Sequence, residues 1–216
     1  MPKGFIFDLD GVIVDTAKYH FKAWQSLAKN LQYNFTEQDN EQFKGVSRVR
    51  SLELLLEMAQ YKATQKEKAQ WLTEKNDHYL SLISNMNASE ILPGITEILT
   101  ALKAQKIPIA LGSASKNAKP ILEKVGLLSY FDVLVDGNEV AKAKPDPEVF
   151  LTAAKGLGVA PENCVVFEDA LAGVAAAKAA QMVCVAIGDP AILFKADHCF
   201  ASTAEITPSF VQSLIA

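Results

Sequence analysis

The chain has 216 residues, half of them hydrophobic, and a net charge of −4 at pH 7. That size holds one full core plus a smaller accessory domain, and that apolar content excludes a disordered chain. The 21 Lys and Arg against 25 Asp and Glu are spread along the sequence, which excludes a basic nucleic-acid footprint, and no uncharged apolar run is long enough to cross a bilayer. The three cysteines, Cys164, Cys184 and Cys199, lie in apolar surroundings without metal-like spacing and read as reduced thiols. No signal-peptide pattern opens the chain, so the expected location is the cytoplasm.

Phe5 to Phe7 is a short apolar run and reads as a buried strand. It ends in Asp8 and Asp10, followed by Gly11. A buried strand has no structural need for two acids at its exit. Carboxylates there can be nucleophile, metal ligand or proton donor, although Asp-x-Asp-Gly also occurs in ordinary turns. Ala17, His20, Phe21, Trp24, Leu27, Ala28 and Leu31 then recur at helical spacing, and Asn34 and Thr36 punctuate the run. A second helix is expected from about Arg48, with Leu52, Leu55, Leu56 and Ala59 on one face, and a third from about Gln65 into the eighties. No strand pattern falls between Asp15 and Met86, so this block reads as a small helical domain.

Pro93-Gly94 marks a change of pattern. A helix is expected over Ile95 to Leu102, a strand over Ile107 to Leu111, and a helix from Ala118 stopped by Gly126. Further strands are expected at Asp132 to Val135, Cys164 to Phe167 and Val183 to Ile187, with helices at Glu148 to Leu157 and Ala170 to Ala180. Alternating strands and helices imply a parallel sheet covered on both faces. The expected fold is a doubly wound α/β core of Rossmann type, residues 1–15 and 90–216, with an inserted all-helical cap, residues 16–89.

Ligands of open parallel sheets bind outside the carboxyl ends of the strands. Those ends carry Asp8 and Asp10; Ser113, followed by Ala114-Ser115-Lys116-Asn117; a loop with Lys142 and Lys144-Pro145; and Glu168 with Asp169. Each has a plainer reading. Ser113 or Ser115 can cap the next helix, Lys144 can be solvated, and Glu168-Asp169 can cap the Ala170 helix. Their occurrence in order on one rim favours chemistry, and the chemistry that they suit is phosphoryl transfer. A carboxylate attacks phosphorus, a hard cation such as Mg²⁺ relieves the crowded acids, and lysine, hydroxyl and backbone N–H groups hold the phosphate oxygens. Asp10 is placed to act as general acid and base.

These residues resemble the haloacid dehalogenase superfamily of phosphotransferases over nearly the whole chain. Asp8-Leu9-Asp10-Gly11-Val12 is similar to its first motif, Ser113 to the second, Lys144 to the third, and Glu168-Asp169 with Gly173 to the fourth. Three more segments are similar to a sugar-phosphate mutase branch. They are Asp15-Thr16-Ala17 through His20-Phe21-Lys22-Ala23-Trp24; Lys44-Gly45-Val46-Ser47-Arg48; and Ser113-Ala114-Ser115-Lys116-Asn117. Lys75-Asn76-Asp77 and Tyr79 add to the match.

The resemblance implies interconversion of β-D-glucose 1-phosphate and β-D-glucose 6-phosphate through β-glucose 1,6-bisphosphate, by a monomer without nucleic-acid or membrane partners. It implies that Asp8 carries the phosphoryl group and Asp10 moves the proton. Asp8, the Asp10 carbonyl, Glu168 and Asp169 would surround Mg²⁺. Ser113, Ala114 and Lys144 would bind the transferred phosphate. Arg48 would grip the distal phosphate with Ser115, Lys116 and Asn117, while the Lys44–Ser47 loop, with Gly45 and Val46, would line the sugar site. Thr16, His20, Trp24 and Lys75 would support the hinge region. Taken without the resemblance, Arg48 reads as a solvated arginine at a helix start, and His20 as a helix-face histidine.

Two departures from the family pattern stand out. Val49-Arg50 places an extra positive charge after Arg48, which would either tighten phosphate binding or be surface drift, and Gly112 stands before Ser113, where it would loosen the strand exit slightly. A sugar-phosphate phosphatase shares the core motifs, and a non-catalytic phosphate-ester sensor could share the fold. The Lys44–Arg48 loop favours the mutase over the first, and the intact Asp8, Asp10, Lys144 and Asp169 argue against the second.

Overall fold

In the computed structural model, which describes residues 3–215, the run Gly4–Phe7 forms β1 and is buried at every position. The other strands are β2 (Ile109–Gly112), β3 (Val133–Val135), β4 (Cys164–Glu168), β5 (Val183–Ile187) and β6 (His198–Phe200). All pair in parallel, in the order β3-β2-β1-β4-β5-β6. This is the doubly wound order, and it puts β1 beside β4, where the direction of winding reverses. Phe7 pairs with Leu111 on one side and Phe167 on the other.

Side chains of a strand alternate between faces, and a parallel sheet needs both faces covered. Phe5 and Phe7 therefore enter one apolar cluster and Ile6 the other. The first cluster is closed by α5 (Ile95–Ala104), α6 (Ala118–Val125) and α9 (Pro208–Ile215). The second is closed by α7 (Glu148–Leu157) and α8 (Leu171–Ala179).

Between β1 and β2 the chain forms α1 (Ala17–Asn30), α2 (Glu37–Glu41), α3 (Arg48–Met58) and α4 (Gln65–Leu82), and no strand. These helices have an aromatic core of their own. Trp24 meets Phe43 edge-on at 5.5 Å, and Phe35 lies 5.0 Å from Phe43. Tyr79 and Ile83 instead join the cluster under the sheet. The two chain segments that link the insert to the sheet run side by side. Val14 bridges to Ile91, the Asp15 N–H donates to the Glu90 carbonyl at 3.0 Å, and Lys18 and Tyr19 both donate to the Glu90 carboxylate.

The expected elements are all present, with shifts of one or two residues at some ends. Gly126 stops α6 in the left-handed region, at φ 76°. Three further elements are α2, β6 and α9. The first lies where Asn34 and Thr36 read as punctuation; Thr36 and Asp39 in fact form a capping box that starts a five-residue helix. β6 has only three residues, none of them fully buried, so it carries no alternation to detect.

Gly112 does not loosen the exit of β2. A Cβ there would lie 2.9 Å from the Phe150 ring and 3.1 Å from Ile6. The missing side chain lets Phe150 pack against the strand, and the Lys144 ammonium sits 4.7 Å above that ring. Gly112→Ala should therefore cost about 1–3 kcal/mol by overpacking. Pairing it with Phe150→Leu should recover part of that loss, as read from urea-denaturation midpoints; a fully additive double variant would contradict the packing account.

Candidate active site

The exits of β1, β2 and β4, together with the loop after β3, converge on one cavity of ≈ 540 Å³. β1 delivers Asp8 and Asp10, and Gly11 follows at φ 76°. A Cβ on Gly11 would lie 2.1 Å from the Asp169 carboxylate, so only glycine allows the two strand exits to meet. The loop before α7 delivers Lys144. Its ammonium is fully buried and donates at 2.5 Å to Asp8 and at 2.5 Å to Glu168.

Glu168 is held on all sides. Its second oxygen accepts from the Asp169 and Ala170 N–H groups at 2.8 and 2.9 Å. Gly173 makes room for it, because a Cβ there would overlap the carboxylate. The plainer reading of Glu168 as a cap of the following helix is thus correct in part: it takes the N–H groups of the two residues just ahead of α8, although the N-cap residue Ala170 itself supplies no side-chain bond.

Carboxylate oxygens of Asp8, Glu168 and Asp169 lie within 4.8 Å of one another. One ammonium cannot neutralise three acids. Burial raises the Asp8 carboxyl to about 8, further than Lys144 draws it down, and burial followed by the Glu168 and Asp8 charges holds Asp169 well above the usual range. Burial alone would lower Lys144, but Asp8 and Glu168 outweigh it, so the lysine stays charged. An all-oxygen, crowded acid set of this kind fits a hard divalent cation.

Asp10 accepts a hydrogen bond from the Thr16 hydroxyl, and His20 Nε2 lies 3.9 Å from the same carboxylate oxygen. His20 Nδ1 meets the Lys75 ammonium at 2.9 Å. With Lys75 donating there, the ring proton falls on Nε2 and faces Asp10. Lys75 is buried and packs over the Trp24 and Tyr79 rings at 4.7 and 4.8 Å. Burial, then repulsion from Arg48, lowers it to about 7.

The opposite wall belongs to the insert. Lys44, Gly45, Val46, Ser47 and Arg48 all line the cavity. Ser47 caps α3 by accepting from the Arg50 N–H, so its hydroxyl is already engaged. Gly45, at φ 70°, lies against the core: a Cβ there would be 2.7 Å from that of Ala170. Arg48 is half-buried and forms no ion pair among the described residues, and burial is the main cause lowering its pKa. Arg50 does not add charge to the site. It points to solvent and pairs with Glu53 and Glu57, both at 3.1 Å.

Ser113, Ala114, Ser115, Lys116 and Asn117 line the cavity as well. Neither serine caps α6. Ser113 Oγ accepts from the Ser115 N–H and Ser115 Oγ from the Asn117 N–H, which curls the loop at the exit of β2. Gly137 and Asn138 brace this loop from the end of β3, through a Gly137 N–H bond to Ser115 O at 3.4 Å and an Asn138 side-chain bond to Lys116 O at 3.2 Å. Gly137, and Asn40, Ser51 and Leu72 on the insert, line the cavity and were not foreseen as part of the site; Asn138 braces the loop from outside it. Their turn and helix surroundings carry no chemical signature. Of the foreseen residues, Thr16 and Glu168 stand behind the cavity wall and act through Asp10, Lys144 and Asp8.

A doubly wound sheet with clustered acids, a buried lysine and a hydroxyl loop on one rim defines an enzyme of phosphate-ester chemistry. Residues 2–181 match the family model of haloacid dehalogenase-like hydrolases. The chain belongs to that family. It is 43% identical over 207 residues to a β-phosphoglucomutase of Bacillus subtilis, covering 95% of this chain and 92% of that protein. It is 34% identical to a phosphorylated carbohydrates phosphatase of Thermotoga maritima, covering 81% and 80%. A crystal structure of a β-phosphoglucomutase from Clostridium difficile superposes with a TM-score of 0.95 at 41% identity, covering 100% of this chain and 97% of that one.

The depressed Lys75 gives a test in solution. Its folded value of about 7 lies below the ordinary 10.5, so between these the unfolded chain binds more protons. Lys75 thus costs stability in full below about pH 7, and the cost fades as pH rises toward 10.5. Lys75→Met should be more stable than the parent at pH 6–7, with the gap closing through pH 10. Urea midpoints across that range would read it, and a constant gap would mean an ordinary lysine pKa.

Proposed function

We propose that the chain interconverts β-D-glucose 1-phosphate and β-D-glucose 6-phosphate through an aspartyl-phosphate enzyme and β-glucose 1,6-bisphosphate. The observation that carries this reading is Arg48, a cavity-lining guanidinium without an ion-pair partner among the described residues, on the wall facing the acid cluster. Its identity and setting suit a phosphate that is bound but not reacting. A mutase needs such a second phosphate site, because it uses both ends of one bisphosphate. A phosphatase does not. The similarity to two β-phosphoglucomutases over nearly the whole chain supports the same reading.

In this reading Asp8 attacks phosphorus and keeps the phosphoryl group as its acyl phosphate, while the sugar oxygen leaves. Asp10 protonates that oxygen, and in the next transfer it takes the proton from the sugar hydroxyl that attacks the acyl phosphate. Lys144, Ser113 and the Ala114 N–H hold the oxygens of the moving group. Asp8, the Asp10 carbonyl, Glu168 and Asp169 would hold Mg²⁺, which supplies charge neutralisation at the phosphoryl oxygens. Lys44–Arg48 with Ser115, Lys116 and Asn117 receive the sugar and its distal phosphate. Residues 16–89 act as a cap whose closure keeps water from the acyl phosphate. Reopening lets the bisphosphate turn end for end. We further propose that the enzyme is a cytoplasmic monomer.

The alternative is a sugar-phosphate phosphatase, in which water attacks the same acyl phosphate. The two part on product. With β-glucose 1-phosphate and a trace of bisphosphate, the expected product is glucose 6-phosphate; free phosphate would support the phosphatase. Chelation should stop turnover and Mg²⁺ restore it, and Asp8→Asn should be inactive. Arg48→Ala should lower mutase flux at least about tenfold, the ratio that about 1.4 kcal/mol implies. Phosphorylation of Asp8 by acetyl phosphate, which has no distal phosphate, should persist. Equal loss of both would put Arg48 in the transfer site.

A further inference from the structure

Asn117 is the residue before α6, where an asparagine usually accepts a helix N–H through its side-chain oxygen. Here it does not; the side chain makes no capping bond. The Asn117 amide nitrogen instead donates at 3.0 Å to Oδ1 of Asn76, a residue of α4 in the insert. The position forgoes a local stabilising contact and spends its amide on a bond across the boundary between insert and sheet.

An amide group has one donor edge and one acceptor edge, and a phosphate can use only the donor. The bond to Asn76 sets the nitrogen edge of the amide of Asn117, a residue that lines the cavity. In the orientation inferred below, its second N–H would serve the cavity. If the amide were free to flip, its oxygen would meet the phosphate half of the time, and oxygen repels it. Asn76 itself does not line the cavity.

We infer that Asn76 is a positioning residue for the non-reacting phosphate: it holds the Asn117 amide in its donor orientation, and does so only while α4 lies against the phosphate-binding loop. This rests on the assignment of Asn117 to the distal phosphate site. Its consequence is coupling. Affinity for the distal phosphate rises when the insert closes, and the bound phosphate in turn favours closure. Gly45 against Ala170 and Lys124 on the Ser84 carbonyl, at 2.9 Å, complete the same boundary, but neither orients a cavity-lining donor.

The test is a double-mutant cycle on Asn76→Ala and Asn117→Ala. Asn76→Ala places a better helix former in α4, so the fold is expected to hold, and thermal melts would confirm it. Binding of glucose 6-phosphate is measured by calorimetry in the non-reacting Asp8→Asn protein, and KM and kcat in the otherwise unchanged enzyme. Asn76→Ala should weaken binding and raise KM by about threefold to tenfold, the range that one neutral hydrogen bond implies, with kcat nearly unchanged. The double variant should bind no worse than Asn117→Ala alone, and acetyl phosphate should still phosphorylate Asp8. Multiplying effects, or unchanged binding in Asn76→Ala, would overturn the inference. If the parent releases free phosphate instead of forming glucose 6-phosphate, the mutase reading falls, while the binding cycle still decides the role of Asn76.

Discussion

Lys144 donates to both Asp8 and Glu168 from a side chain with 0% exposure. A buried ammonium is tolerable only when paired, and so is each carboxylate that it meets. Removing the lysine would strand two buried acids, a defect of about 3–5 kcal/mol in comparable pairs. The three partners come from the exits of β1 and β4 and from the loop before α7, so the contact can form only when the sheet has its observed order. Phe150, seated against Gly112, supplies the floor beneath the ammonium. The same contact leaves the cluster with an excess of acid. That excess suits a centre which is stable with a lysine in place and complete only with a cation and a phosphate.

The insert brings the opposite charge. It contributes Lys44, Arg48 and Lys75 to a cavity whose floor carries Asp8, Asp10 and Asp169. Lys44 is steadied by Glu41 at 2.9 Å and Lys75 by His20 and two aromatic rings, but Arg48 has no such partner among the described residues. The contrast with Arg50, which is tied to two glutamates on the outer face, is instructive. Two arginines two residues apart on one helix differ by half a turn. One faces the cavity and the other is neutralised in solvent.

The sheet was legible because its strands are apolar runs bounded by Pro, Gly and acids, and because parallel strands buried on both faces need no alternation to be found. The rim acids and Lys144 were legible because charge at a buried strand exit has few structural uses. α2 and β6 were not, since elements of five and three residues carry too little periodicity. The roles of Gly137 and Asn76 were hidden for a different reason. Each is a relation between residues far apart in the chain, such as the 41-residue separation of Asn76 and Asn117, and no local pattern encodes it. Gly112 was misjudged on the same ground, and Arg50 could be read either way: their neighbours in space, Phe150 and the glutamates, decide what they do.

The place of the insertion in the chain has a mechanical meaning. The insert leaves the sheet immediately after Asp10 and returns at Ile91, and Val14 bridges both positions. Thr16, at the start of the insert, donates to Asp10 itself. Any swing of the helices about these paired segments must therefore be felt first at Asp10, the residue proposed to move the proton. The far end of the insert touches the rim through Asn76 and Asn117. In the proposed reaction one end of the insert would thus bear on the proton carrier and the other on a donor for the distal phosphate, so one rigid movement would change both at once. That arrangement would let occupancy of the proposed distal phosphate site report on the reacting one without any change within the sheet between them.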